Sequence, residues 1–269
     1  DESDTIFFES VYGWMNNDFP HSSIIMYPDG SMKGRVIGND LSFQAVDKIS
    51  IIGHSITVYS DNEKESEISD AFVRNSQAFG NKTVNTLQNM KIGVVGCSGT
   101  GSPLIEMLFR LGVGTIILID SETLEIENLN RIPSSKLADV KSKNLKVDVL
   151  KDYIEKTEVG TKVISYPCLL QESRQALNDV ASCDFVFGGM DSVEGRHYLN
   201  LISTYYLVPI IDIGVKLVAD GEGGIDSITG NIHYVIPYLK TLEERGVYSY
   251  EELAAESLKR VSKEEYENR

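Results

Sequence analysis

The chain has 269 residues, and its hydrophobic fraction of 42% is typical of a folded globular protein with a sizeable core. Its formal net charge of -15 argues against nucleic acid as a partner, because contacts to phosphate require clustered Lys and Arg. Its three cysteines form no CxxC pair and none of its apolar runs is long enough to span a bilayer. We therefore predict a cytoplasmic protein without a disulfide framework, a structural zinc site or a membrane partner.

The first 62 residues differ in pattern from the rest of the chain. Short apolar runs alternate with turn signals such as Pro28-Asp29-Gly30 and Gly38-Asn39-Asp40, which predicts a small meander of strands. A short helix is predicted over residues 9–15. We predict a β-rich N-terminal domain over residues 1–62, and its position suggests a clamp for a substrate or partner. The polar stretch at 61–69 is a predicted linker.

Strands and helices alternate in the second part of the chain. A helix is predicted over residues 71–89. Strands are predicted at 91–96, 115–120, 162–166, 185–187 and 209–213, separated by helices at 102–111, 143–154, 171–181 and 193–204. Strands that are apolar on both faces indicate a parallel sheet covered on both sides. The prediction is an α/β fold, a doubly wound Rossmann-like sheet with a small β-rich N-terminal appendage.

Beyond Gly214 the pattern turns to shorter β-like pieces at 215–219, 225–228 and 232–236, followed by a charged helical tail over 242–266. We assign residues 70–269 to the α/β domain. Because the chain ends in a charged stretch, we expect this domain to continue beyond Arg269.

A glycine-rich loop, Gly96-Cys97-Ser98-Gly99-Thr100-Gly101-Ser102, joins the first strand of this domain to its helix. Such a loop lets the backbone approach a phosphate, and the helix N-terminus that follows favours negative charge. Asp120 ends the next strand, where an acid commonly binds ribose hydroxyls. Gly96, Ser98, Gly99, Gly101 and Asp120 are thus candidate nucleotide-binding residues. The loop alone fits NAD and ATP equally.

The segment from Asp120 to Asn128-Leu129-Asn130-Arg131 distinguishes these alternatives. Taken with the glycine loop, it resembles the ThiF/MoeB/HesA-like, ubiquitin-activating-enzyme-like (E1-like) adenylyltransferase family, whose members occur in bacterial ubiquitin-like conjugation operons. Three further motifs match in order: a helix containing Arg74, a lysine-bearing helix Lys146-Val-Asp-Val-Leu, and a strand ending Gly188-Gly-Met-Asp191 with Arg196 after it. The resemblance spans about residues 74–237.

The resemblance implies that ATP and Mg²⁺ are used to adenylate a carboxylate. This chemistry requires neutralised phosphate charge and an aligned attacking carboxylate. Arg131 would clamp phosphate through its fork of donors, and Lys146 would reach phosphate as a point charge. The lysine spacing usual in the family falls on Asn144, between Lys143 and Lys146. We favour Lys146 from its motif, and Lys143 stays the alternative.

Three further roles follow from the same resemblance. Asp191 would hold Mg²⁺, a hard cation that prefers carboxylate and phosphate oxygens. Asn128 would orient phosphate or metal-bound water. Arg74 would reach the ATP of a partner subunit, which implies a homodimer. Arg196 is either part of this site or an ion-pair brace for the fold.

The sequence departs from the family at two places. No Cys-x-x-Cys pair follows Pro237, so zinc is not supported, and a catalytic cysteine for a thioester is not apparent there. Ser98 stands where the family usually has a glycine.

The expected substrate is a ubiquitin-like or sulfur-carrier protein bound through its C-terminus, with thioester transfer to a downstream conjugating partner as a further expectation. Three alternatives remain open from the sequence. One is adenylation of a short peptide in ribosomal-peptide maturation. Another is a nicotinamide-dependent oxidoreductase, against which the Asn128-Leu129-Asn130-Arg131 segment argues. The third is an inactive scaffold half, against which the co-occurrence of Asp120, Arg131 and Asp191 argues.

Overall fold

The structure is a computed structural model that describes residues 2–16, 18–60, 68–262 and 266. The chain forms two compact units, Asp1–Glu65 and Ser66–Arg269, which we call unit 1 and unit 2. The predicted linker at 61–69 lies largely outside the described residues.

Unit 1 combines one helix with two small antiparallel sheets. Its elements are α1 (Glu2–Met15), a sheet of β1 (His21–Met26), β2 (Met32–Ile37) and β3 (Phe43–Ala45), and a hairpin of β4 (Lys48–Ile52) and β5 (Ile56–Ser60). Both predicted turns are stabilised by an aspartate, since Asp29 accepts from Ser31 N–H and Asp40 accepts from Ser42 N–H, each at 2.9 Å. The helix is longer than the predicted 9–15, and β3, only three residues long, was missed by the pattern.

Unit 1 buries few of its apolar side chains. Phe8 and Ile37 are buried, whereas Trp14 is 84% exposed and Phe19 is 76% exposed. Three consecutive residues of the edge strand β1, Ile24 to Met26, are also more than half exposed. This small unit therefore presents a large apolar surface.

Unit 2 begins with two helices where the sequence predicted one. They are α2 (Val73–Phe79) and α3 (Asn81–Asn89), after a 3-10 turn at Asp70–Phe72. The prediction of a continuous helix over 71–89 was wrong because Gly80, at φ +86°, takes a conformation that ends one helix and precedes the next.

The core of unit 2 is a six-stranded sheet of order β11-β10-β9-β6-β7-β8. Its strands are β6 (Lys91–Val95), β7 (Thr115–Ile119), β8 (Lys162–Tyr166), β9 (Phe185–Gly188), β10 (Ile210–Ala219) and β11 (Ile225–Val235). All neighbouring pairs are parallel except β10 and β11. The strand order reverses at β6, which confirms the doubly wound α/β prediction.

Helices cover both faces of this sheet. The helices that follow β6 along the chain are α4 (Gly101–Leu111), α5 (Leu137–Lys141), α6 (Lys146–Glu155), α7 (Arg174–Ala181), α8 (Val193–Tyr206) and α9 (Tyr250–Val261), of which α9 packs on α8. Along β7, Ile116 and Leu118 belong to one buried cluster and Ile117 and Ile119 to the other. The two-residue period of a strand thus supplies both cores.

Three predicted boundaries in unit 2 were wrong. The helix predicted over 143–154 begins at Lys146, and the short α5 before it was not predicted. Gly214 does not interrupt β10, so the separate β-like pieces form one long hairpin of β10 and β11. The charged tail becomes helical at Tyr250 rather than at 242.

Candidate functional site

The glycine loop at the carboxyl end of β6 is closely packed. Gly96 adopts φ +90°, and its N–H donates to the carbonyl of Ile119 at 2.8 Å. A Cβ on Gly96 would lie 2.7 Å from the carbonyl carbon of Gly189, and one on Gly101 would lie 1.8 Å from the carbonyl oxygen of Gly96. Both positions therefore require glycine, and the loop is pressed against the loop that follows β9.

The loop leads into the N-terminus of α4. Among the described residues Thr100, the N-cap, makes no side-chain capping hydrogen bond, and Ser102 N–H donates to the Ser98 carbonyl at 2.8 Å. A helix start that lacks a side-chain cap suits an anionic group, since its N–H groups and dipole favour negative charge.

Arg131 lies over this loop. A Cβ on Gly99 would be 3.0 Å from Cδ of Arg131, so the arginine side chain covers that glycine. Its guanidinium is exposed and donates to the carbonyl of Glu127, and its own carbonyl accepts from Ser102 Oγ at 3.3 Å. The predicted phosphate arginine is thus joined to the predicted phosphate loop through both side chain and backbone.

Asp120 follows β7 and faces the same loop. Its Oδ2 accepts from Cys97 N–H at 2.8 Å and its Oδ1 accepts from Glu122 N–H at 2.9 Å. Burial raises the pKa of Asp120 and outweighs the lowering effect of these two hydrogen bonds and of the nearby Lys146 charge. Each carboxylate oxygen keeps a further lone pair that can accept from a ribose hydroxyl.

Lys146 and Lys143 have different surroundings. Lys146, at the start of α6, is only 3% exposed, and its ammonium pairs with the carboxylate of Glu122. Lys143 is exposed in the preceding turn, at φ +54°. Lys146 is linked to Asp120 through Glu122, whose N–H donates to the Asp120 carboxylate at 2.9 Å, and the choice between Lys146 and Lys143 stays a prediction. The pattern did not predict Glu122 as the partner of Lys146, because the pair joins residues on different elements.

Asn128 is buried and acts within its own turn. Its Oδ1 accepts from Glu125 N–H at 2.9 Å, and the residue is 4% exposed. The side-chain oxygen that we expected to orient phosphate or metal-bound water is therefore engaged in shaping the segment that carries Arg131.

Asp191 is exposed on the loop between β9 and α8. That loop abuts the glycine loop, since a Cβ on Gly189 would be 3.3 Å from Gly101 N. Arg196 fixes the loop from α8: its Nη2 donates to the Met190 carbonyl at 3.0 Å and its Nη1 donates to the Asp191 carbonyl at 3.4 Å.

The same arginine pairs with the buried carboxylate of Asp212 on β10, with Nε–O distances of 3.2 and 3.3 Å. Burial raises the pKa of Asp212, and the charge of Arg196 opposes that shift only in part. Of the two roles considered for Arg196, the structure therefore supports the ion-pair brace.

Arg74 does not join these residues. It lies exposed on α2, and within the described residues its guanidinium donates to Gln77 at 2.9 Å and makes no hydrogen bond to the glycine loop. The contact of Arg74 with the nucleotide of a partner subunit stays a prediction.

The carboxyl ends of β6, β7 and β9 thus bring together the glycine loop, the carboxylate of Asp120, the cations of Arg131 and Lys146, and the exposed carboxylate of Asp191. Within the part of the chain that the structure describes, no group of three or more His, Cys, Asp and Glu side chains could hold a metal ion by itself. Mg²⁺ commonly binds through one carboxylate plus phosphate oxygens and water, so the single carboxylate of Asp191 fits it.

The cysteines do not add a nucleophile to this site. Cys97 and Cys183 are buried and Cys168 is partly buried. Burial raises the pKa of Cys97 well above the usual value, and it also raises the pKa of Cys168. Both thiols therefore stay protonated near neutral pH, which disfavours thioester formation on them.

None of the helices over the described residues has the length and apolar character needed to cross a bilayer.

Comparison with known proteins identifies a match over most of unit 2. The model of the ThiF family matches residues 72–237. The chain is 27% identical to the NEDD8-activating enzyme E1 catalytic subunit of Caenorhabditis elegans over 169 residues, which are 59% of this chain and 36% of that protein. It is 32% identical to the tRNA threonylcarbamoyladenosine dehydratase of Bacillus subtilis over 122 residues, 45% of this chain and 47% of that protein. The chain spans less than half the length of these curated relatives.

Solved structures show the same fold at low sequence identity. E. coli MccB with AMPCPP and MccA aligns with a TM-score of 0.52 and 20% identity, over 71% of this chain and 56% of that one. E. coli tRNA N6-threonylcarbamoyladenosine dehydratase, TcdA, aligns with a TM-score of 0.50 and 23% identity, over 58% of this chain and 71% of that one.

Proposed function

The chain belongs to the ThiF family, and from this premise we propose that it is an E1-like adenylyltransferase. It transfers AMP from ATP to the C-terminal carboxylate of a ubiquitin-like or sulfur-carrier protein. The observation that carries the proposal is the meeting of the glycine loop, Asp120, Arg131, Lys146 and Asp191 at one edge of the sheet.

In the proposed reaction a carboxylate oxygen of the substrate attacks the α-phosphorus of ATP. The bond from that phosphorus to the bridging oxygen breaks, and pyrophosphate leaves with its electron pair. Both reactants are anions, so the protein must supply positive charge and hold the attacking oxygen in line. Mg²⁺, when bound, neutralises phosphate charge, and Asp191 is the residue that would hold it.

The phosphate contacts would come from the loop and its two cations. The N-terminus of α4 and the backbone of the glycine loop receive phosphate oxygens, and Arg131 donates from above Gly99. Lys146 exchanges its Glu122 partner for a phosphate oxygen. Since Glu122 is 67% exposed at its side chain, water can solvate it after the exchange.

Unit 1 would hold the substrate. Its exposed Trp14 and Phe19 and the apolar edge strand β1 offer the kind of surface that binds a protein segment. We propose that residues 1–62 act as a clamp. Arg74 would act on the nucleotide of a partner subunit in a homodimer, and a conjugating protein would accept the activated product.

A short peptide is the second candidate substrate. An edge strand can pair with an extended chain, and β1 leaves one edge unpaired within its three-stranded sheet while exposing Ile24, Ile25 and Met26. That observation favours a peptide over a nicotinamide substrate, and a scaffold without chemistry would need neither Arg131 nor Asp191 beside the loop.

The test is ATP–pyrophosphate exchange with Mg²⁺ in the presence of candidate ubiquitin-like proteins that end in glycine. Exchange that requires an intact C-terminus on the candidate supports the proposal. Exchange only with a short peptide favours the second candidate. ATP binding without exchange for either class contradicts the enzymatic role, and absence of ATP binding contradicts the nucleotide assignment itself.

A further inference from the structure

Helix α9 contacts the start of α8 through a carboxylate. Oε2 of Glu256 accepts from the backbone N–H of Val193 at 2.6 Å and from that of Glu194 at 3.1 Å. These are the first two residues of α8, whose N–H groups have no partner inside the helix. A carboxylate at this position also interacts favourably with the helix dipole. Glu256 therefore caps α8 from a helix more than 60 residues away in sequence.

The contact is reciprocal, because a carboxylate of α8 receives donors from α9. Glu194 is 5% exposed and accepts from Ser257 Oγ at 2.6 Å and from Arg260 Nε at 2.8 Å. Burial acts to raise the pKa of Glu194, but the hydrogen bonds from Arg260 and Ser257 prevail and the net shift is downward. Glu194 thus stays ionised near neutral pH, and the two helices are joined by two crossed carboxylate contacts. We call this set the α8–α9 clasp.

The clasp acts on a helix start that follows directly from Asp191. Ser192 is the N-cap of α8, and its Oγ accepts from Gly195 N–H at 3.2 Å. Arg196 holds the carbonyls of Met190 and Asp191 from inside the domain. The loop that carries Asp191 is therefore held by Arg196 on one side and by Glu256 at its far end.

Helix α9 lies outside residues 72–237, the range that the family model matches. None of its twelve residues, Tyr250–Val261, all of them described, is fully buried. Apolar burial therefore contributes modestly to its attachment, and the polar contacts of the clasp carry correspondingly more weight.

We propose that Glu256 is a positioning residue for Asp191. Through Glu256, helix α9 controls the Mg²⁺-dependent step, although it lies outside the residues that the family model matches. This inference rests on the proposed function of Asp191. Without the Glu256 carboxylate, two N–H groups at the start of α8 lose their acceptor, and the end of the loop that carries Asp191 is held less firmly. Groups that orient a metal ligand typically affect metal affinity or activity by about 10- to 100-fold.

The experiment compares Glu256→Ala and Glu256→Gln with Glu251→Ala, a control that removes an exposed glutamate from the same helix. The Mg²⁺ concentration for half-maximal ATP–pyrophosphate exchange is expected to rise about 10-fold in Glu256→Ala. Glu256→Gln should restore most of the wild-type value, since its amide oxygen accepts from the same N–H groups. Glu251→Ala should equal the wild type. An unchanged Mg²⁺ requirement in Glu256→Ala overturns the proposal, as does a Gln variant as impaired as the Ala variant.

Backbone hydrogen exchange provides a second measurement that does not depend on activity. Faster exchange at Val193 and Glu194 is expected in Glu256→Ala and not in Glu251→Ala, and equal exchange in the two variants overturns the clasp. If the wild type binds ATP yet shows no pyrophosphate exchange, the proposed function fails. The hydrogen-exchange comparison then still decides whether Glu256 holds the start of α8.

Discussion

The glycine loop of unit 2 and helix α1 of unit 1 differ in how closely their backbones are surrounded. At Gly101 an added Cβ would meet a carbonyl oxygen at 1.8 Å, whereas at Gly13, on α1, it would meet nothing within 4 Å. Unit 2 buries continuous apolar strands, and unit 1 leaves Trp14 84% exposed. A rigid region with defined donor positions suits chemistry on phosphate, and an open apolar region suits recognition of a partner.

The largest difference between the two regions is expected from matched glycine substitutions. Gly101→Ala should destabilise unit 2 by about 3 kcal/mol or more and abolish ATP binding, because the methyl group cannot fit beside the Gly96 carbonyl. Gly13→Ala should stabilise α1 by about 0.5–1 kcal/mol, since alanine is the better helix former. Thermal unfolding and ATP titration of both variants check this, and equal behaviour of the two would remove the contrast.

The next largest effect is expected at the exposed groups beside the loop. Asp191→Ala and Arg131→Ala should each reduce ATP–pyrophosphate exchange by about 100-fold or more, because each removes a charge that acts on phosphate or metal in the proposed reaction. Both side chains are exposed, so the free energy of unfolding should change little. Asp226→Asn, on the exposed part of β11, is the control. Near-normal exchange in either test variant would contradict the assigned roles.

A smaller effect is expected from pH. Because burial raises the pKa of Asp120, its carboxylate takes up a proton at a higher pH than an ordinary aspartate does. If the ionised form binds ribose, the affinity for ATP should be highest above the pKa of Asp120. It should fall by about tenfold for each pH unit below that pKa. Asp120→Asn should bind ATP weakly with a flatter pH profile, and parallel profiles for the two proteins would exclude Asp120 as the titrating group.

The smallest effect on stability is expected in unit 1. Trp14→Ala removes a side chain that is almost fully exposed, so the free energy of unfolding should change by no more than about 0.5 kcal/mol. If unit 1 is the clamp, the same change should weaken substrate binding while ATP binding is retained. Calorimetric titration with a protein or peptide that supports exchange measures this, and unchanged substrate affinity would argue against a clamp at α1.

The sequence predicted those parts of unit 2 that depend on local pattern. Apolar runs located the parallel strands, and the glycine loop, Asp120 and Arg131 were recognised because their neighbours in sequence form motifs. The sequence pattern predicted one helix across Gly80, where the positive φ of the glycine divides the segment into two helices. It also separated β10 at Gly214, although pairing with β11 carries that strand through the glycine.

Other features of the site depend on contacts between distant residues. The pairing of Lys146 with Glu122 joins two elements, and the Glu256 cap on α8 spans more than 60 residues. Asn128 differs from these cases, since its bond to Glu125 is local but the motif suggested a ligand instead. A single sequence shows that these charged residues are present, but it does not indicate which of them the fold brings into contact.

The hairpin of β10 and β11 has a practical consequence for spectroscopy. Strand β9 pairs with β10 only as far as Asp212, so β10 and β11 continue together beyond the parallel part of the sheet. They end at a tight turn, where Asp220 accepts from Glu222 N–H at 2.8 Å and from Gly224 N–H at 2.9 Å. The side chain of Glu222 is exposed there, and of the native thiols two are buried and the third, Cys168, has a raised pKa. Glu222→Cys therefore offers an attachment point for a thiol-reactive fluorophore, whose signal would report on the surroundings of the hairpin without altering the glycine loop.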